Sequence, residues 1–226
     1  MSEKSDIFSV MISDMEMLNI LGNKEGKYCI LQMVDEHDQK EITAEAEKVR
    51  ALRKQQDWCI VPIKVEDWNT DLTPWKADPV FGNVPFGDGA MKTLDALRNE
   101  VLPALAKEER EFFLCGYSLA GLFALWAATR TDRFAGIIAA SPSVWYPDWL
   151  SYAREHSTQS GKVYLSLGDR EARTRNRVMA TVADAIQEEE EILKKQGICC
   201  TLEWNPGNHF MDSDERCAKG IAWILK

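Results

Sequence analysis

Ser118 stands between two glycines, Gly116 and Gly121, at the junction of two apolar stretches of different period. Before it, Phe112 to Cys115 is a short continuous apolar run with the length of a buried strand. After it, Leu119, Leu122, Phe123 and Trp126 recur at i, i+3, i+4 and i+7, one face of a helix. A serine at such a strand-to-helix turn has its hydroxyl lifted above the sheet, and the first helical N–H groups point at the same spot. The glycines remove side chains where the two backbones come together. The plainer reading is an ordinary strand–turn–helix with an N-cap serine. A serine hydroxyl is a weak nucleophile at neutral pH, so chemistry at Ser118 requires a base in hydrogen-bond reach and an acid that holds the base's tautomer. Histidine is the usual base, and the chain offers three: His37, His156 and His209.

The hexapeptide Gly116-Tyr117-Ser118-Leu119-Ala120-Gly121 resembles the Gly-x-Ser-x-Gly-Gly elbow of the α/β-hydrolase fold, in the form found in the esterase D and enterochelin-esterase-like group. Four other stretches also resemble that group: Asp67-Trp68-Asn69-Thr70-Asp71-Leu72-Thr73-Pro74-Trp75, Ser141-Pro142-Ser143-Val144-Trp145, Leu167-Gly168-Asp169-Arg170-Glu171 and Gly207-Asn208-His209-Phe210. The similarity covers most of the chain from about Tyr28 onward. Ala120 departs from it, standing where the motif usually has its second glycine; one methyl should leave the turn intact.

The resemblance implies a serine esterase acting on a small soluble ester or thioester through an acyl-enzyme, with no cofactor and no metal. Chain order in this fold is Ser, acid, His. His37 precedes the serine and His156 lies beside a surface helix beginning Asp148-Trp149, whereas His209 follows the last strand and precedes the closing helix. The acid should follow the strand Lys162 to Leu167, where Asp169 and Glu171 point to opposite sides of an extended turn. The resemblance places it at Glu171, with Asp169 second. The oxyanion hole should use the N–H of Leu119 and one from the loop Asp35-Glu36-His37-Asp38, taken as Glu36. The acidity of that loop is unfavourable beside an oxyanion unless its carboxylates point elsewhere. Asp35, Trp68, Trp75, Tyr117 and Trp145 are the expected pocket residues, although packing is an equally good reading of Trp68 and Trp75. The alternative function is a homologue that kept the fold, lost turnover and serves as a binding or regulatory protein.

Composition narrows the partners. The chain has 226 residues, 45% hydrophobic, and a net charge of −9. These values suit a single domain over residues 1–226 and speak against nucleic acid or an anionic membrane as partner. Met1 to Asp14 is polar and acidic, and no stretch approaches 20 uninterrupted apolar residues, so the protein reads as soluble and cytoplasmic, with monomer and homodimer both open. The six cysteines read as small buried hydrophobes; no C-x-x-C is present, and the scattered histidines form no metal-ligand cluster.

Positioning these residues falls to an alternation of elements. Edge strands are expected within Ile7 to Leu21. Strands follow at Tyr28 to Val34, Trp58 to Val65, Phe112 to Cys115, Ala135 to Ala140, Lys162 to Leu167 and Ile198 to Trp204. Helices are expected at Glu41 to Gln56, Gly87 to Lys107 with Pro103 kinking it or beginning a new turn, after Ser118, at Pro147 to His156, Arg173 to Lys195 and Asp212 to Leu225, the last with Asp212 and Glu215 as a capping box. Asp67 to Pro85 reads as a long loop. Such alternation gives an α/β fold with a mostly parallel central sheet covered on both faces. Asp35, Ser118, Ser141, Asp169, Glu171 and His209 all fall just after strands, where ligands bind in such sheets. Ser141 to Gly161 spans only 21 residues, too few for a large cap domain, so an open cleft is expected.

Overall fold

The computed structural model describes residues 10–12 and 15–226. Strands β1 (Val10–Ile12), β2 (Met15–Met17), β3 (Leu21–Gly22), β4 (Tyr28–Val34), β5 (Trp58–Lys64), β6 (Glu111–Tyr117), β7 (Gly136–Ala140), β8 (Lys162–Gly168) and β9 (Cys199–Asn205) form one sheet, ordered β1-β2-β5-β4-β6-β7-β8-β9, with β3 also pairing β5. The neighbours from β5 to β9 are parallel, and β1, β2 and β3 add an antiparallel edge. Ile7 and Phe8 of the expected edge strands lie outside the described residues.

The helices are α1 (Asp38–Leu52), α2 (Trp68–Asp71), α3 (Ala90–Ala96), α4 (Leu102–Leu105), α5 (Leu119–Arg130), α6 (Trp149–Glu155), α7 (Val182–Lys195) and α8 (Ser213–Ile224). Successive strand residues point to opposite faces. On β4, Cys29, Leu31 and Met33 therefore join a core with α3, α4, α5, α6 and α7, while Ile30 and Val34 join a second core with α1 and α8. A sheet covered on both faces explains why its central strands are apolar almost throughout. This is the α/β-hydrolase architecture, and no large cap covers it.

Local physics moved several expected boundaries. Within residues 87–107 Pro103 begins a new turn, the second of the two expected outcomes: between α3 and α4 a wider turn, Leu97–Val101, closes i→i+5 just ahead of Pro103, which has no N–H to donate. Leu94, Leu97, Val101 and Leu105 stay buried along this path. The expected helix from Arg173 begins later, with a 3₁₀ turn at Met179–Thr181 before α7, because the Asn176 side chain accepts the N–H groups of Val178 and Met179. α1 opens at Asp38 and ends at Leu52, ahead of the expected span, and the Asp67 to Pro85 loop contains α2, capped by Asp67. The capping box at Asp212 is absent: Asp212 has φ 54°, and its side chain makes no cap bond. Cys199 is exposed and Cys200 half-buried, because β9 is an edge strand.

Candidate active site

The turn between β6 and α5 is built by close approach. A Cβ at Gly116 would lie 2.2 Å from the Ala120 backbone, and one at Gly121 would sit 3.0 Å from Pro142. Gly116 admits only glycine and Gly121 leaves little room for more, whereas Ala120, where the methyl departs from the motif, is accommodated and fully buried. Ser118 pays for the tightness with φ 57° and ψ −120°, a conformation costing a non-glycine residue of order 1–3 kcal/mol. The turn is held open by bonds on both sides: the Ser118 N–H donates to Ala140 O, and Ser118 O accepts from Ser143 and Leu122.

The strand ends bring three distant side chains together. His209 Nε2 lies 3.0 Å from Ser118 Oγ, and His209 Nδ1 lies 2.7 Å from Glu171 Oε2. With Nδ1–H donated to the carboxylate, Nε2 presents its lone pair to the serine hydroxyl. Ser143 Oγ is 3.4 Å from Ser118 Oγ on the other side. The histidine is partly open to solvent at 23% side-chain exposure, whereas Glu171 is closed off at 3%. The other candidate acid faces away: Asp169 is 58% exposed, and its carboxylate accepts the Gly207 N–H at 2.9 Å, bracing the loop that carries His209.

Glu171 is held from behind. Its Oε1 accepts the Gly168 N–H at 2.7 Å, the Ser141 hydroxyl at 2.7 Å and Arg216 Nη1 at 2.6 Å. Burial pushes the Glu171 carboxyl up, but His209, the Gly168 N–H and the Ser141 hydroxyl outweigh it, and the group stays below its ordinary value. The fully buried Arg216 sets its guanidinium against the same Oε1. It also donates to Tyr117 Oη at 3.0 Å, Ser141 Oγ at 2.8 Å and Asn208 O at 2.9 Å. Gly168 makes room for this arrangement, since a Cβ there would meet Gly207 O at 2.5 Å and Arg216 at 2.8 Å.

The remaining expected residues divide between site and scaffold. Tyr117 is half-buried beside the nucleophile, where its ring packs on His209 at 5.2 Å and its hydroxyl donates to His209 O at 2.8 Å. Burial, then the charge of Glu171, holds that hydroxyl well above its ordinary value, so it remains a donor. Asp35 turns its carboxylate into its own loop, where Oδ1 accepts the N–H groups of His37 and Asp38. The Glu36 N–H is not used by that turn. Leu119, the first residue of α5, has no intrahelical acceptor for its N–H. Trp68 lies on α2 and packs on the core; Trp75 donates to Pro147 O at 3.0 Å and packs on Tyr146 and Tyr152. Trp145 is buried between Phe81 and Phe86.

Sequence reasoning did not single out Arg216 or Phe210. Arg216 falls one residue before Cys217, Gly220, Ile221 and Ile224, the inward stripe of α8, and a charge so close to an apolar face is the signal that was there to read. Phe210 is 90% exposed, its ring edge-on to His209 at 5.5 Å. No histidine, cysteine or acid beside Ser118 forms a metal-ligand group among the described residues.

Similar proteins agree with this architecture. Structures of low identity share the fold: an IroE-like serine hydrolase from Shewanella oneidensis (19% identity, TM-score 0.77, covering 97% of this chain and 80% of that one), the siderophore hydrolase EstA from Aspergillus nidulans (19%, 0.72, 96% and 92%), and the enterobactin hydrolase IroE in complex with DFP (18%, 0.67, 96% and 94%). Among curated proteins, none matches this chain. The family model described as "Putative esterase" matches residues 13–205, ending just before His209. With most of its length matched by that model and the α/β-hydrolase fold beneath it, the chain belongs to the esterase family.

Proposed function

We propose that residues 1–226 form one serine esterase domain in which Ser118 is the nucleophile, His209 the general base and Glu171 the acid that orients it. The observation that carries this reading is the unbroken chain Ser118 Oγ, His209 Nε2, His209 Nδ1, Glu171 Oε2, with links of 3.0 and 2.7 Å, mounted on a strained elbow. In acylation, Ser118 Oγ bonds to the carbonyl carbon as His209 Nε2 takes its proton, then passes that proton to the departing alcohol or thiol. Water, activated by the same nitrogen, releases the acid and restores the serine. The developing oxyanion would be held by the Leu119 N–H at the start of α5 and by the Glu36 N–H. Because Asp35 turns into its own loop, its charge is spent on backbone N–H groups rather than aimed at the oxyanion. Arg216 is a positioning residue: by occupying Oε1, it leaves Oε2 to His209.

The substrate is a small ester or thioester, reached through an open cleft and handled without cofactor. The siderophore hydrolases among the similar structures make siderophore esters a class to assay beside simple acyl esters. Among the described residues no helix is long and apolar enough to cross a membrane, and the six unpaired cysteines suit a reducing cytoplasm. The test is hydrolysis of p-nitrophenyl acetate together with labelling by a fluorophosphonate probe. Wild type should turn over and label. Ser118→Ala should do neither while melting at an unchanged temperature, because the hydroxyl contributes nothing to the core. Residual turnover above about a tenth of wild type would remove Ser118 from its role.

A further inference from the structure

On the sheet face opposite α5, the interior holds a polar cluster that the esterase chemistry does not use. Glu45 on α1, Cys115 on β6 and Cys217 on α8 each offer one ligand atom, and these atoms lie within 4.8 Å of one another, all buried. Gln32 on β4 donates from Nε2 to Glu45 Oε2 at 2.9 Å. That leaves Glu45 Oε1 and Gln32 Oε1 buried without a hydrogen-bond partner. No lysine or arginine pairs with Glu45 among the described residues; Lys48, on the same helix, is committed to Asp214 at 2.6 Å. A buried carboxyl oxygen without a partner is costly whether or not the group carries its proton, and such an atom in a native fold calls for an explanation.

We propose that Glu45, Cys115 and Cys217 form a buried binding site for a thiophilic divalent cation of the zinc class, tying the nucleophile strand to the closing helix. Two sulfurs and one carboxylate oxygen suit borderline-soft zinc, which takes Cys and Glu ligands in a four-coordinate shell. Bond lengths of about 2.3 Å to sulfur and 2.0–2.2 Å to oxygen require the three ligand atoms to close in by at most about 1 Å from their present limit. Gln32 plays the outer role typical of such sites: it holds one carboxylate oxygen so that the other faces the ion. A small cavity of about 10 Å³ lies beside the cluster, lined by Glu45 and Cys217 together with Asp38, Glu41 and Asp214. Asp38 and Glu41 beside it raise the local cation concentration, the Asp214 charge being matched by Lys48. Uptake displaces the thiol protons, and that of Glu45 where it carries one, into solvent, and forms two sulfur–metal bonds and one oxygen–metal bond. The sequence offers no metal motif here because the ligands come from three separate elements. The site is independent of Ser118 chemistry, but β6 ends at Tyr117 and Cys217 adjoins Arg216, so the ion would stiffen the frame that carries the triad.

The test uses the whole protein, stripped with a chelator under reducing conditions and then titrated with Zn²⁺ and Co²⁺. Wild type should take up about one ion per chain, measured by elemental analysis, and should melt at a higher temperature when loaded. The Co²⁺ form should show thiolate-to-metal charge transfer and the visible bands of a tetrahedral site. Cys217→Ser should lose both signals, Gln32→Leu should weaken uptake by about tenfold or more, and Cys199→Ser, at an exposed position, should change neither. Absence of stoichiometric uptake by wild type overturns the proposal without reliance on any variant. Uptake that survives in folded Cys217→Ser, or that Cys199→Ser abolishes, overturns it as well.

Discussion

Replacing Arg216 by methionine removes a guanidinium that is fully buried and that reaches Glu171, Ser141, Tyr117 and the Asn208 carbonyl at once. Methionine fills much of the same volume, so the loss is electrostatic rather than a cavity. Taking one partner out of a buried ion pair leaves the other charge uncompensated and costs roughly 3–5 kcal/mol of stability. Activity should fall by a separate amount. Glu171 keeps the Gly168 N–H and the Ser141 hydroxyl on Oε1, so it is loosened but not lost. One hydrogen bond to a charged group is worth about 1.5–3 kcal/mol, which puts the decrease in kcat between roughly tenfold and a hundredfold. KM for a small ester should hardly move, because Arg216 has no exposed surface and does not border the cleft. The acid limb of kcat/KM should shift to higher pH, since without the neighbouring positive charge the Glu171–His209 pair retains a proton more readily. Arg216→Lys should recover only part of the effect, because a point charge cannot serve four acceptors arranged for a planar fork. The assay is kcat and KM for p-nitrophenyl acetate from pH 5 to 9, alongside urea melts. Activity within about twofold of wild type, or a stability loss with kcat and the pH limb unmoved, would refute the positioning role.

Glu171→Gln should lower kcat by several orders, in line with the ~10⁴-fold loss when a triad aspartate is amidated in serine proteases, and Asp169→Asn should do little; steady-state kinetics of the two variants settle the ranking, and the reverse order would move the acid to Asp169. Glu189 is buried against Trp149 Nε1 at 2.9 Å, and burial raises its carboxyl to about 7. A folded value above the unfolded 4.5 means that the folded state binds the proton more tightly, so stability falls as pH rises from about 4.5 to 7 and is level beyond. The total is roughly 3 kcal/mol, and urea melts at pH 5 and pH 8 should show Glu189→Gln shrinking the difference by that order. Across acetyl, butyryl, octanoyl and palmitoyl p-nitrophenyl esters, kcat/KM should be highest for the short chains, because each further methylene is worth at most ~0.8 kcal/mol and only where a wall buries it; a rise toward palmitoyl would reveal an apolar tunnel.

The elbow was legible because it is local. Gly116, Ser118 and Gly121 lie within one turn, and the change from a continuous apolar run to helical spacing marks it without any distant contact. The β-α alternation was legible for the same reason, and it places every loop that follows a parallel strand at one edge of the sheet, which is why His209 and the pair Asp169 and Glu171 could be named, the family resemblance putting Glu171 first. Boundaries set by single side chains were not legible: Asn176 delays α7, and the widened turn ahead of Pro103 has no mark in the sequence beyond the proline itself. Tertiary structure alone decided which carboxylate faces His209, since Asp169 and Glu171 are chemically alike and two residues apart, and only the packing of Gly168 against Gly207 and Arg216 turns one inward. It alone made Tyr117 a brace for His209, and it alone gathered Arg216, Ser141 and Gly168 around one carboxylate oxygen. Periodicity records which face of an element is buried, but not which residues of other elements meet it there, because that depends on the sheet order and on the register of strands far apart in the chain.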